Sequence, residues 1–209
     1  MDHEKEVAGG LSTVRIQGLS DGVFAFAMTL LILDIKVPQI AAAMVSSQLA
    51  HLLVALWPKI LSYVTSFLIL GVGWVGQHTA FHYIKRSDRI LLWLNILYLM
   101  GVAFVPFSTS LLGTYPDERI AIFFFGTNLV LIAVLLYAIW TYATWHHRLV
   151  DHHLEPIVIK LLKQRIASAV VIYFVIIGIS FFSTNASRIL FLLGPLSYVR
   201  PSRLDRYFH

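Results

Sequence analysis

Four stretches of the chain, 60–84, 90–116, 120–145 and 166–187, contain no Lys, Arg, Asp or Glu. Each reaches the roughly 20 residues that an α-helix needs to cross a bilayer, and together they predict spans over 59–81, 90–113, 119–143 and 165–183. A shorter apolar run over 185–199 carries Pro195 and predicts a further span. The first apolar run, 16–36, differs from the rest: it is strongly aliphatic toward its far end, yet it holds Asp21, Gln17, Ser20 and Thr29 together with Gly18 and Gly22. It makes a sixth span. Residues 40–56, bracketed by Pro38 and Pro58 and interrupted by Ser46, Ser47, Gln48 and His51, read as an amphipathic segment at the membrane surface or packed on the bundle. The expected fold is one all-α membrane domain, 1–209, with six transmembrane helices.

Composition agrees. Of 209 residues, 58% are hydrophobic and 13% charged, and the mean hydropathy is +0.76. A soluble domain carries about a quarter charged residues, so a soluble enzyme and a disordered chain are excluded. There is no cysteine, hence no disulfide, thiolate nucleophile or cysteine-ligated metal. The net charge of +5 does not mark a nucleic-acid partner, because the positive residues sit in short clusters between apolar runs. Six spans place Lys5, Arg15, Lys85, Arg86, Arg89, Arg148, Lys160, Lys163, Arg165, Arg200, Arg203 and Arg206 on one side, and only Lys36, Lys59, Arg119 and Arg188 on the other. By the positive-inside rule both termini are expected in the cytoplasm. Residues 1–14 lack the apolar run of a cleavable signal.

An ionisable group inside a spanning helix is costly and marks a candidate site. Asp21 is that group. It either caps the interfacial start of its helix or pairs with Arg15, six residues earlier, in the same or a neighbouring chain. On the same helix Phe26, Thr29, Leu30 and Leu33 fall at i, i+3, i+4 and i+7 and form one stripe. Ala25, Met28, Leu31 and Ile32 lie opposite. Such a stripe suits plain packing; Thr29 within it, and the small residues Gly18, Gly22, Ala25 and Ala27 around it, point instead to a pore lining with closely approaching neighbours.

The segment from Arg15 through Leu19, Ser20 and Asp21 to Thr29 and Ile35 resembles the first-helix signature of the transmembrane protein 175 family, potassium channels of endosomes and lysosomes with bacterial and archaeal relatives. Leu19 stands where the family has Phe. Trp74 and His78, four apart in the second span, Asn95, the run from Phe104 through Pro106, and Tyr115 to Asp117 resemble the next two family helices. The resemblance implies a single-repeat prokaryotic member: a homotetramer in the cell inner membrane, with the first helix lining a central pore. It implies a K+-permeable channel that passes monovalent cations passively through apolar constrictions at Phe26, Leu30 and Leu33, with Thr29 as a hydroxyl ring. No filter of backbone carbonyls is expected, and no cofactor beyond the permeant ion. Arg15, Ser20, Asp21, Trp74, His78 and Asn95 are expected to form a buried polar cluster bracing the pore helix.

Two rivals remain. A secondary transporter would use Asp21 for a coupling ion. A metal enzyme would use His146, His147, His152 and His153, but their spacing, with only Asp151 and Glu155 nearby, suits a cytoplasmic linker better, so neither catalysis nor a metal is expected. The five tryptophans suit interfacial belts, and Gly71, Gly73 and Gly76 suit close helix packing.

Overall fold

The computed structural model describes residues 13–199; Lys5 and the basic residues Arg200, Arg203 and Arg206, with both termini, lie outside them. The chain begins with α1 (Thr13–Leu30), which tightens into a 3₁₀ turn, Leu31–Asp34. After α2 (Val45–Ala55) come α3 (Trp57–Tyr83), α4 (Arg89–Ala103), α5 (Val105–Thr114), α6 (Arg119–Thr144), α7 (Pro156–Ser180) and α8 (Thr184–Val199). Among the described residues, five helical units are long and apolar enough to span a bilayer: α1 with its 3₁₀ turn, α3, α4 with α5, α6 with the turn after it, and α7. The run expected as the last span is helical, but α8 has 16 residues, about 24 Å at 1.5 Å each.

Local chemistry sets these boundaries. Asp88 caps α4, its carboxylate accepting from the Leu91 N–H at 2.9 Å. Pro106 has no N–H to continue the helical ladder, so the third spanning unit breaks at Phe104 into α4 and α5. Pro58 and Pro156 stand in the first turns of α3 and α7, where a missing N–H costs nothing. α7 therefore starts well before residue 165.

α6 is the central post. Ile139, Trp140 and Ala143 are fully buried on it, as are Ile122 and Phe125, and it packs against α4, α5, α7 and α8. Trp140 thus does not belong to an interfacial belt: its indole donates to the Ile159 carbonyl at 3.2 Å, inside the bundle. Trp57, Trp93 and Trp145 are exposed. Gly73 and Gly76 sit against Phe24 and Leu136, whereas Gly71 faces open space. No residue of α2 or of the preceding turn Ala42–Met44 is buried within the chain.

One end of the bundle is closed by two interlocked loops. The Leu149 carbonyl accepts from the N–H groups of Lys85 and Arg86 at 2.9 and 3.1 Å. His146 and His147 take the left-handed conformation, with φ of 50° and 53°, which reverses the chain and lets the Leu149 N–H reach the Ala143 carbonyl at 3.0 Å. Arg148 meets Asp88 at 3.4 Å, and the Tyr142 hydroxyl donates to the same carboxylate at 2.6 Å. Among the described residues no group of three His, Cys, Asp or Glu is gathered for a metal.

Candidate functional site

The two sides of α1 have different surroundings. Ile16, Ser20, Phe24, Ala27 and Leu31 are buried, recurring at helical spacing along one face. That face rests on α4, α3 and α5, with the Phe24 and Tyr98 rings 6.1 Å apart. The other side is uncovered along its whole length. Phe26 is 65% and Leu33 66% exposed, Thr29 is exposed, and Leu30 is half-buried at the edge. Gly18 and Gly22, on the same side, have nothing of this chain near them.

The uncovered side is broader than the stripe read from the sequence. Ala25 and Ile32, assigned there to the opposite side, belong to it. Ordinary helical spacing puts both there: Ala25 lies four residues before Thr29 and Ile32 three after it, on one face.

Thr29 has a defined orientation. Its hydroxyl donates to the Phe26 carbonyl at 2.8 Å. Its single proton is thereby committed to the backbone, and the oxygen lone pairs remain for an outside donor or cation.

The six residues expected in one buried cluster divide into two pairs and a remainder. Ser20 and Asn95 are buried to 0% and 1%. Asn95 Nδ2 donates to Ser20 Oγ at 3.3 Å, and Ser20 Oγ donates to the Ile16 carbonyl at 2.9 Å. Asp21 and Trp74 form the second pair, which is exposed rather than buried: Trp74 Nε1 donates to Asp21 Oδ1 at 2.7 Å. His78 stacks on that indole, ring centroids 5.5 Å apart. Arg15 joins neither pair; its side chain is exposed, and no ion pair to Asp21 forms within the chain among the described residues. The division is geometric: Ser20 and Asp21 are consecutive, so they point about 100° apart on the helix.

Sequence reasoning missed two further supports. Gln17 Nε2 donates to the Phe81 carbonyl at 3.2 Å, satisfying an orphan acceptor at the end of α3. At the other end of α1, Ser110 Oγ donates to Asp34 Oδ1 at 2.7 Å, and Lys59 Nζ lies 3.5 Å from Asp34 Oδ2. The available signal was a pair of opposite charges closing one span and opening the next.

Residues 15–106 match the family model described as endosomal/lysosomal potassium channel TMEM175. A potassium channel of Streptomyces collinus is 39% identical over 173 residues, 81% of this chain and 82% of that protein. One from Chamaesiphon minutus is 36% identical over 174 residues, 82% of this chain and 85% of that protein. The crystal structure of a lysosomal potassium-selective channel TMEM175 homolog from Chamaesiphon minutus superposes with a TM-score of 0.79 at 32% identity, over 89% of this chain and 95% of that one.

Proposed function

Because this chain belongs to the TMEM175 family, we propose that it is a potassium channel whose conduction path is the uncovered side of α1. The observation that carries this reading is the side of α1 that the chain's own helices leave bare, with Phe26, Thr29 and Leu33 on it. A second, third and fourth copy would complete it as a homotetramer, each such residue becoming a ring of four around a central axis. Six spans per chain, with α8 as the last, put both termini on the cytoplasmic side of the cell inner membrane, as the Lys and Arg bias requires.

Three rings would do different work. Phe26 and Leu33, with Leu30 beside them, are apolar constrictions, where an ion sheds water and nothing replaces it; such rings gate by dewetting. Thr29 is the neutral polar ring between them. With its proton on the Phe26 carbonyl, it presents oxygen to a partly dehydrated cation. One hydroxyl ring supplies far fewer ligands than a stack of carbonyls, so K+ preference over Na+ is modest. Ser20 with Asn95, and Asp21 with Trp74 and His78, hold the helix from behind and beside.

The test is flux from liposomes holding purified protein under a K+ gradient, then a Na+ gradient. Fast downhill K+ flux with slower Na+ flux and no added co-substrate is expected. Flux that appears only with a coupling ion would replace the channel by a transporter built on Asp21. Thr29→Ala should weaken K+ preference while the assembly stays intact; unchanged selectivity would remove Thr29 from the mechanism.

A further inference from the structure

The C-terminal end of α1 does not hold itself. Its last turn, Leu31–Asp34, is 3₁₀, closed by the Ile35 N–H on the Ile32 carbonyl at 3.0 Å. Short 3₁₀ turns have poorer hydrogen-bond geometry than an α-helix and recur at hinges. The geometry of this one comes from outside. Asp34 takes the Ser110 hydroxyl of α5 on one carboxylate oxygen at 2.7 Å. Lys59, in the first turn of α3, lies 3.5 Å from the other oxygen and donates to the Asp34 backbone carbonyl at 3.4 Å. α3 and α5 are themselves pressed together here, because a Cβ on Gly113 would lie 3.3 Å from the Lys59 Cα. Asp34 therefore sits on a platform made by two other helices.

Its neighbour faces the opposite way. Leu33 is 66% exposed. In a turn of three residues, consecutive side chains diverge by about 120°, so seating Asp34 on the platform turns Leu33 toward the bare side. We infer that Asp34 is a positioning residue for conduction: through Ser110 and Lys59 it fixes the 3₁₀ turn and thereby the place of Leu33 on the conduction path. This rests on the reading that the bare side of α1 lines the pore. Of the two supports, the hydroxyl–carboxylate bond is the stronger, being short and charge-assisted. The ion pair is 29% exposed on each partner, and pairs that open to solvent contribute little.

The chain has no cysteine, so Leu33→Cys carries a single thiol in an otherwise unreactive background. The reconstituted variant is treated with a charged, water-soluble thiol reagent, and both the modification rate and the K+ flux are followed. The thiol is expected to react, and reaction to reduce flux. Adding Ser110→Ala should change the modification rate by about tenfold, the scale of one lost hydrogen bond to a charged acceptor; Asp34→Asn keeps an oxygen for the Ser110 hydroxyl but loses the charge, and should change the rate by less than Ser110→Ala. Lys59→Met should also change it by less, and Ser110→Thr, which keeps the hydroxyl, should restore the parent rate. A thiol that never reacts, or reacts without touching flux, overturns the pore reading and this inference with it. A thiol that reacts and reduces flux, at a rate indifferent to Ser110→Ala and Asp34→Asn, overturns the inference alone, even if those variants lower flux or stability. If Asp34→Asn does not fold, the Ser110→Ala and Ser110→Thr pair decides.

Discussion

The Trp74 indole donates to the Asp21 carboxylate at 2.7 Å, tying α1 to α3 across 53 positions of sequence. The bond is exposed, so water competes for both partners, and its net contribution is about 1 kcal/mol. Its value is directional. An indole N–H has one direction to donate, and His78 stacked 5.5 Å away steadies the ring. The pair thus fixes the rotation of α1 more than its stability, complementing the buried Ser20–Asn95 bond on the adjacent face.

Trp74→Phe removes the donor and keeps a ring for His78. Thermal unfolding should change little, by about 1 kcal/mol or less, while K+ flux falls as the bare side of α1 loses its orientation. Asp21→Asn retains a carbonyl acceptor for the indole and should keep downhill flux. Abolished flux in Asp21→Asn with normal flux in Trp74→Phe would make the charge, not the bond, the functional element.

Phe26→Ala acts in the opposite direction. The side chain is 65% exposed within the chain, so its removal opens no internal cavity, and a monomer stability change within about 0.5 kcal/mol is expected. Widening the apolar ring should raise both K+ and Na+ flux and narrow the difference between them. Flux of both ions equal to wild type would place the constriction elsewhere on α1.

The special status of α1 was legible because a carboxylate, two glycines and a threonine in one apolar run have few bland explanations. The long spans were legible because a charge-free run of that length has one solvent. What stayed hidden depends on residues far apart in sequence. Trp140 looks interfacial, yet it is fully buried and donates to the Ile159 carbonyl nineteen positions on. Ser110 and Asp34 are 76 apart, and while the charge of Asp34 at the end of a span is a signal, a serine in an apolar run does not single itself out as its partner. The expected single buried cluster splits because Ser20 and Asp21 are adjacent and adjacent helical residues face different neighbours, and Arg15 joins neither part. The 3₁₀ turn over Leu31–Asp34 leaves no signature among aliphatic residues.

Gly126→Ala tests the packing of the scaffold. A Cβ there would lie 2.5 Å from Ile177 Cγ1 and 3.3 Å from Phe191 Cζ, at the junction of α6, α7 and α8. Overpacking of this kind costs about 1–3 kcal/mol; the clashing Cγ1 belongs to a buried, β-branched side chain with one preferred rotamer in a helix, which favours the upper part of that range. The readout is the unfolding midpoint in detergent. Gly18→Ala and Gly22→Ala meet nothing in the chain, so they should leave that midpoint nearly unchanged and weaken assembly instead, measured by native mass spectrometry. Equal midpoint losses at Gly126 and Gly22 would contradict the assignment of the bare side.

Asp88 makes the last prediction, on pH. Partial burial pushes its carboxyl up, but the Leu91 N–H, the Tyr142 hydroxyl and the Arg148 guanidinium together outweigh that and hold it below the usual carboxylate range. A lowered folded-state value means the ionised form stabilises the fold. That contribution is fully present above the unfolded value of about 3.9 and is lost as pH falls through the folded one. The loop interlock should therefore hold from neutral pH down to about 4. Asp88→Asn keeps an N-cap for α4 but loses the charge toward Tyr142 and Arg148, and should cost about 1 kcal/mol at neutral pH. The gap between wild type and variant should close only in strongly acid solution. A gap already closing between pH 7 and 5 would show that the Asp88 carboxylate is not what holds the interlock.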